Sequence, residues 1–329
     1  MTPSISIILP IYNVEKYLQQ CLESIVGQSL CTIEIICVDD GATDSSGSTI
    51  DHFASQDDRI RAIHKQNSGY GASINAGLSQ ATGEYIGIIE PDDYVDTTMF
   101  EKLWGAARAN GNPDIVKAAY WRVCNPDTEQ ETILPANYLH CIKTVNAPFV
   151  LADDAEFLFH HPSIWTGIYR RDFLQSNAIT MKEIPGAGWA DNPFLIETLT
   201  SAQSIVYVDE PLYFYREFNL GSSSNVKDPS IIYDRWLDMD DIIRAKAITA
   251  PKIIEAHFNR GCAYIEMLNL DFDTTAPAIH SAIKSMIKRM DYNTILESKK
   301  ISQTYKDAYQ LHVSAPKRFF YHLKRGLTP

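Results

Sequence analysis

The stretch Ser4-Ile5-Ser6-Ile7-Ile8-Leu9-Pro10-Ile11-Tyr12-Asn13 decides the fold class. Ser4 to Leu9 is an apolar, β-branched run that reads as a strand. Asn13 then stands where a helix cap belongs, ahead of Val14, Leu18, Cys21, Leu22 and Ile25, whose spacing draws one apolar stripe. The same strand-then-helix unit repeats outward. Ile33 to Val38 is a second strand, followed by the turn Asp39-Asp40-Gly41 and a helix from Ser46 to Phe53. Arg61 to His64 is a third strand, the loop Asn67-Ser68-Gly69-Tyr70-Gly71 opens a helix over Ala72 to Gln80, and Tyr85 to Ile89 is a fourth strand. Thr98 and Glu101 have the spacing of a capping box for the next helix, and Asp114 to Tyr120 is a fifth strand.

Strands separated by helices in this way form right-handed crossovers. The expected fold is α/β: a doubly wound, mostly parallel sheet with helices on both faces, plus a helical C-terminal extension. Ligands in such sheets bind beyond the carboxyl ends of the strands. That rule singles out Pro10, Tyr12 and Asn13 after strand one; Asp39 and Asp40 after strand two; Lys65, Asn67 and Gly69 after strand three; and Glu90, Asp92 and Asp93 after strand four. Beyond residue 120 the alternation loosens. Residues 125–131 read as a polar turn, 134–148 as irregular, 155–160 as a short helix and 164–173 as an aromatic-rich run. The loop Pro185-Gly186-Ala187-Gly188 precedes Trp189-Ala190-Asp191-Asn192 and a helix over Pro193 to Thr200. Ile205 to Val208 and Leu212 to Tyr215 read as two strands. From Ser230 to Ile301 the pattern is mostly helical, with Leu237, Ile242, Ile243, Tyr264, Met267 and Leu268 as expected core. The implied division is residues 1–220 as a ligand-binding α/β domain and 221–329 as a mostly helical region with a basic aromatic tail.

Composition narrows the classes further. The chain has 329 residues, 45% apolar and 21% charged, which fits a globular protein and excludes disordered or repetitive ones. Its net charge of −12 argues against a nucleic-acid partner. The charge is uneven: residues 1–283 carry 19 Lys and Arg against 38 Asp and Glu, whereas residues 284–329 carry 10 against 3. No apolar run approaches the roughly 18 residues of a membrane span. The six cysteines lack any C-x-x-C pair and read as reduced thiols, so the expected location is cytoplasmic.

Glu90-Pro91-Asp92-Asp93 crowds carboxylates behind a central strand. Either a hard divalent cation relieves their repulsion, with phosphate oxygens as its remaining ligands, or the acids cap a turn. Gly69-Tyr70-Gly71 is no dinucleotide fingerprint, because position 74 is Ile and the loop follows strand three; it is either a phosphate-facing helix start or a plain turn. Asp191, taken alone, reads as a helix cap before Pro193.

Together these positions resemble the family-2 inverting glycosyltransferases of the GT-A fold, over about residues 3–220. Ser6 to Asn13 is similar to the family's first-strand motif and Glu34 to Asp44 to its second. Asn67, Gly69, Ala72, Asn75 and Gly77 fit the next block, Gly83-Glu84-Tyr85 leads into Glu90-Pro91-Asp92-Asp93 at the place of the family's D-x-D-D motif, and Trp165 to Leu174 fits a further block. Glu90 replaces the first Asp of that motif. The resemblance implies a donor-binding set of Pro10, Tyr12, Asn13, Asp39, Asp40, Lys65, Asn67, Gly71, Asn75 and Asp92, and a metal set of Asp93, Asp92 and Glu90 for Mn²⁺ or Mg²⁺. It implies Asp191 as catalytic base, with Ala190 in place of the family's Glu. A UDP-sugar donor and a glycan or lipid-linked glycan acceptor in cell-surface polysaccharide synthesis follow from it. The alternatives are a sugar-phosphate nucleotidyltransferase, which lacks support because no Gly-rich basic loop follows strand one, and a non-catalytic glycan- or nucleotide-binding module. The tail Lys317-Arg318-Phe319-Phe320-Tyr321-His322-Leu323-Lys324-Arg325 has the composition of an interfacial helix at the inner face of an anionic membrane, or of a segment packing on the body or on a second subunit.

Overall fold

The computed structural model describes residues 2–217, 227–314 and 316. They fall in two compact units, one within Met1–Asp154 and Pro162–Asn225, the other within Ala155–His161 and Val226–Pro329. In the first unit, β1 (Ile5–Ile11), β2 (Ile33–Asp39), β3 (Ile60–His64) and β4 (Tyr85–Ile88) lie side by side in the order β3-β2-β1-β4, all parallel. Every residue of β1 is buried, as expected of a central strand covered on both faces. The crossovers are α1 (Glu15–Val26), α2 (Ser46–Ala54) and α3 (Tyr70–Gln80). Parallel pairing brings the carboxyl ends of all four strands to one edge.

The rest of the sheet is mixed. A two-residue β5 (Tyr94–Val95) and α4 (Met99–Ala109) follow β4, and β6 (Ile115–Cys124) turns back through β7 (Thr132–Pro135). β8 (Gly167–Arg170) inserts antiparallel between β4 and β6, and β9 (Ile205–Arg216) runs parallel to β6 and antiparallel to β5. The α/β class read from the sequence holds. The aromatic run at 164–173, however, contains a central strand. Gly167 makes this possible, since a Cβ there would lie 2.5 Å from the Val116 carbonyl oxygen. The two strands expected at 205–215 are one, because register shifts opposite Ala118–Tyr120 absorb Pro211. α5 (Arg171–Ser176) and α6 (Asp191–Ser201) complete the unit.

Two caps differ from expectation. Asn13 takes a left-handed φ of 50° and its side chain accepts the Thr43 amide at 2.7 Å, so it ties two strand ends together and α1 begins behind Val14. Thr98 and Glu101 form no capping box: Thr98 Oγ1 donates to Asp96 and Glu101 accepts from Ser29, each at 2.6 Å.

The second unit is built from α7 (Pro229–Ala245), α8 (Pro251–Asp271), α9 (Pro277–Arg289), α10 (Tyr292–Glu297) and α11 (Gln303–His312), with a short 3₁₀ turn, Glu156–Phe159, against α8. Proline opens α7, α8 and α9, where its missing N–H costs nothing. Of the expected core positions, Ile243, Tyr264 and Leu268 are buried, and Leu237, Ile242 and Met267 are half-buried; Trp236, Met239 and Ile265 fill the centre instead. Among the described residues, no helix is long and apolar enough to cross a membrane. The basic tail beyond Pro316 lies outside the described residues.

A buried polar cluster ties α7, α8 and α9. Asp240, 2% exposed, accepts from His257 Nε2 at 3.2 Å, from Arg244 and from Arg289 at 3.0 Å, and the His257 ring stacks on Trp236 at 4.6 Å. Burial pushes Asp240 upward, yet these donors outweigh it and hold the carboxyl at about 2. Burial likewise lowers His257 below the usual histidine range. Both folded values lie below the unfolded ones, so the unfolded chain takes up protons first and stability falls with falling pH. His257 acts below about pH 6.5, and Asp240 below about pH 4, where it withdraws about 2 kcal/mol. Thermal melts from neutral to acid pH check this: Asp240→Asn should flatten the decline below pH ~4, and an unchanged slope would refute it.

Candidate active site

The carboxyl edge of the parallel strands gathers the polar residues singled out in the sequence. Pro10 is buried within β1, and Tyr12, just beyond it, is 48% exposed. Asp39 and Asp40 are 7% and 3% exposed, and both carboxylates are engaged by protein. Asp39 accepts the Ala42 amide at 2.8 Å and pairs with His64 Nδ1 at 2.8 Å, while His64 Nε2 pairs with Asp51 at 3.0 Å. The hydrogen bond that Asp39 accepts, with the one that Asp51 accepts, raises His64 above its ordinary value. Asp40 accepts from Lys65 Nζ and from the amides of Ser68 and Gly69, both at 2.9 Å. Lys65 also reaches Ser68 Oγ. The second-strand acids thus shape the 65–69 loop, on which Asn67 stands exposed.

The acid turn lies between β4 and β5. Glu90 is half-buried and accepts the Tyr70 hydroxyl at 2.5 Å. Burial above all, then the nearby charges of Asp92 and Asp191, push Glu90 up to about 8. Asp92 is half-buried, and its carbonyl accepts from the Arg216 guanidinium. Asp93 is 1% exposed, with Oδ2 accepting the Tyr213 hydroxyl at 2.8 Å and Oδ1 the Arg216 amide at 2.7 Å. Its carboxyl is held well above the usual range, chiefly by burial and then by Asp92. Among the described residues, no group of three His, Cys, Asp or Glu is arranged to enclose a metal ion. Glu90 and Asp92 offer two carboxylates, the number Mg²⁺ or Mn²⁺ uses when substrate phosphates supply other ligands.

Asp191 is the first residue of α6, half-buried, and its charge reaches both Glu90 and Tyr70. The segment leading to it is seated on α3. Asn75 clips that segment by accepting the Met181 amide and donating to the Met181 carbonyl and Glu183 Oε1, each at 2.9 Å. The Tyr70 amide donates to the Gly186 carbonyl at 3.0 Å. A Cβ at Gly69 would lie 2.5 Å from the Ile184 carbonyl oxygen, and one at Gly71 only 2.1 Å from that of Lys182. The two glycines therefore admit a passing backbone, and the phosphate-facing reading of this helix start loses its space. Gly71→Ala should cost about 1–3 kcal/mol through overpacking. Gly105→Ala, at an exposed position of α4 with nothing within 4 Å of the new methyl, should instead gain about 0.5–1 kcal/mol. Paired thermal melts decide between opposite signs and a shared one.

Tyr213 and Arg216 went unseen in the sequence, where they end an aromatic strand with no motif around them. β9 brings them to the turn by pairing with β5, Val95 opposite Tyr213 and Tyr94 opposite Phe214. Arg216, 5% exposed, lies over the rings of Tyr17 and Tyr94 at 4.7 and 4.8 Å and donates to Gln20. A cation sandwiched by two rings is a firm anchor for the Asp92-Asp93 peptide.

Residues 6–170 match the model of glycosyl transferase family 2. The chain belongs to that family. It is 35% identical over 222 residues to the uncharacterized glycosyltransferase EpsJ of Bacillus subtilis, covering 66% of this chain and 62% of that protein. It is 43% identical over 128 residues to the glycosyltransferase GlyG of Streptococcus pneumoniae, 39% of this chain and 42% of that one. The chain thus spans about three fifths or less of the length of these relatives. Its fold matches that of S. aureus TarS residues 1–349 in complex with UDP-GlcNAc, with a TM-score of 0.76 at 18% identity over 98% of this chain and 92% of that one. The mannosyltransferase PcManGT of Pyrobaculum calidifontis, in complex with GDP-Man and Mn²⁺, gives 0.56 at 15% identity over 97% and 83%. The sheet is therefore a GT-A sheet, and the family leaves no place for the nucleotidyltransferase alternative.

Proposed function

We propose that this glycosyltransferase moves one sugar from a UDP-sugar to a hydroxyl of a glycan or lipid-linked glycan, with inversion, in cell-surface polysaccharide synthesis at the inner face of the membrane. The carrying observation is that Tyr70 joins the acid turn, through Glu90, to the loop that ends at Asp191, through Gly186, at the carboxyl edge of the parallel strands. The UDP-GlcNAc of the TarS complex and the GDP-Man and Mn²⁺ of the PcManGT complex support a nucleotide-sugar and a divalent ion in this role.

In this reading Tyr12 lies along the base, and Asp39 and Asp40 support it through the 65–69 loop rather than by free carboxylates. Pro10, Asn13, Lys65, Asn67, Gly71 and Asn75 shape the pocket walls. Glu90 and Asp92 hold the divalent ion, whose positive charge, when bound, stabilises the departing diphosphate. Asp93, with both oxygens engaged inside the protein, serves by fixing the turn. Asp191 takes the acceptor hydroxyl's proton as that oxygen bonds to the anomeric carbon. The bond from that carbon to the diphosphate oxygen breaks on the opposite side, and its electron pair leaves with UDP. Trp189, two residues before Asp191, would stack on an acceptor ring.

Calorimetric titration with UDP, GDP and dTDP, with Mn²⁺ and then with EDTA, tests the reading. Saturable UDP binding that EDTA weakens is the expected result. Failure of all three nucleotides to bind under either condition would overturn it in favour of a module that has lost its donor.

A further inference from the structure

The peptide Gly69-Tyr70 touches each of the three segments that carry the site's carboxylates. The Gly69 amide donates to Asp40 at 2.9 Å, the Tyr70 hydroxyl donates to Glu90 at 2.5 Å, and the Tyr70 amide donates to Gly186 at 3.0 Å in the loop that ends at Asp191. Nothing at this peptide is loose. Gly69 adopts a φ of 95°, open to few side chains, and the glycines on either side of Tyr70 lie against the backbone of residues 182–186 without room for a Cβ. Tyr70 begins α3, so its ring is carried by a helix whose Asn75 is clipped to the same segment.

The geometry points to Tyr70 as a positioning residue that holds Glu90 toward the donor phosphates and keeps the donor turn in register with the loop bearing Asp191. This also gives a reason for Glu where the resemblance expects Asp. The longer side chain spans from the end of β4 to the hydroxyl on α3. The inference rests on the donor-site reading above. Tyr70 does not act on the substrate; it acts through Glu90.

The test uses the whole chain, with UDP as probe, for wild type, Tyr70→Phe, Glu90→Asp and the double variant. Each is titrated with Mn²⁺ and with EDTA and melted in parallel. Tyr70→Phe keeps the ring and removes one oxygen, and a hydrogen bond to a carboxylate that carries its charge once a cation is bound is worth about tenfold in affinity. The expected result is about a tenfold loss of UDP affinity in Mn²⁺ and none in EDTA, with the double variant no weaker than Glu90→Asp alone. A purely structural tyrosine would lower the melting temperature and leave both affinities alike or equally shifted, and that outcome overturns the inference. So would additive losses in the double variant. Should Tyr70→Phe fold poorly, Glu90→Asp carries the test, because it draws the carboxylate back from the Tyr70 hydroxyl; Mn²⁺-dependent UDP affinity equal to wild type in that variant overturns the inference. Wild-type chain that binds no UDP at all defeats the donor-site reading instead.

Discussion

Asp191→Asn should cut sugar transfer by about a thousandfold and leave metal-dependent UDP affinity within about twofold of wild type. The amide keeps the volume and the helix-start position of the carboxylate and loses only its capacity to take a proton. The acceptor hydroxyl is a weak nucleophile, so the loss falls on kcat and not on donor KM. Asp191 stands at the N-terminal end of α6, where the helix favours a negative charge. UDP release from a donor and acceptor pair that the wild type turns over provides the measurement. Transfer within about tenfold of wild type would remove Asp191 from the base role.

Asp92→Ala and Asp93→Ala should fail in different ways although the residues are neighbours. Asp92 is half-buried beside Glu90 in the turn, and removing it should weaken Mn²⁺-dependent UDP binding by about a hundredfold or more with little change in melting temperature. Asp93 is 1% exposed, and removing it strands the Tyr213 hydroxyl and the Arg216 amide inside the protein. Each unpaired buried donor costs about 1–3 kcal/mol, so Asp93→Ala should lower the melting temperature first and UDP affinity only as the turn loosens. Calorimetry and melting of both variants separate the two. Loss of UDP binding in Asp93→Ala with an unchanged melt would return Asp93 to the ligand set.

These predictions depend on distances between residues far apart in the chain. Glu90, Asp92 and Asp93 were legible from their place behind a strand that announces itself by periodicity, whereas Asp191, a plain helix start by spacing, was singled out only by the family resemblance. Their division of labour was not. The resemblance implies Asp93 as a metal ligand and Asp92 for donor and metal alike, whereas the pairing of β5 with β9 turns Asp93 inward onto Tyr213 and Arg216. Gly69 and Gly71 look like a phosphate loop in one dimension. In three they are the clearance for a segment more than 100 residues away.

The sequence by itself determined the parallel half of the sheet, because alternating apolar runs and amphipathic stripes are local patterns that the backbone obeys wherever they occur. It also determined the family, because strand-end motifs are short and contiguous. Tertiary structure decided the mixed half, where a central strand hides in an aromatic run and needs Gly167 to approach Val116. It decided as well that Tyr70, Tyr213 and Arg216 meet the acid turn. Those contacts cross 20 to more than 120 residues of chain. No local periodicity encodes such contacts, since they arise only when strands from distant segments take their places in one sheet.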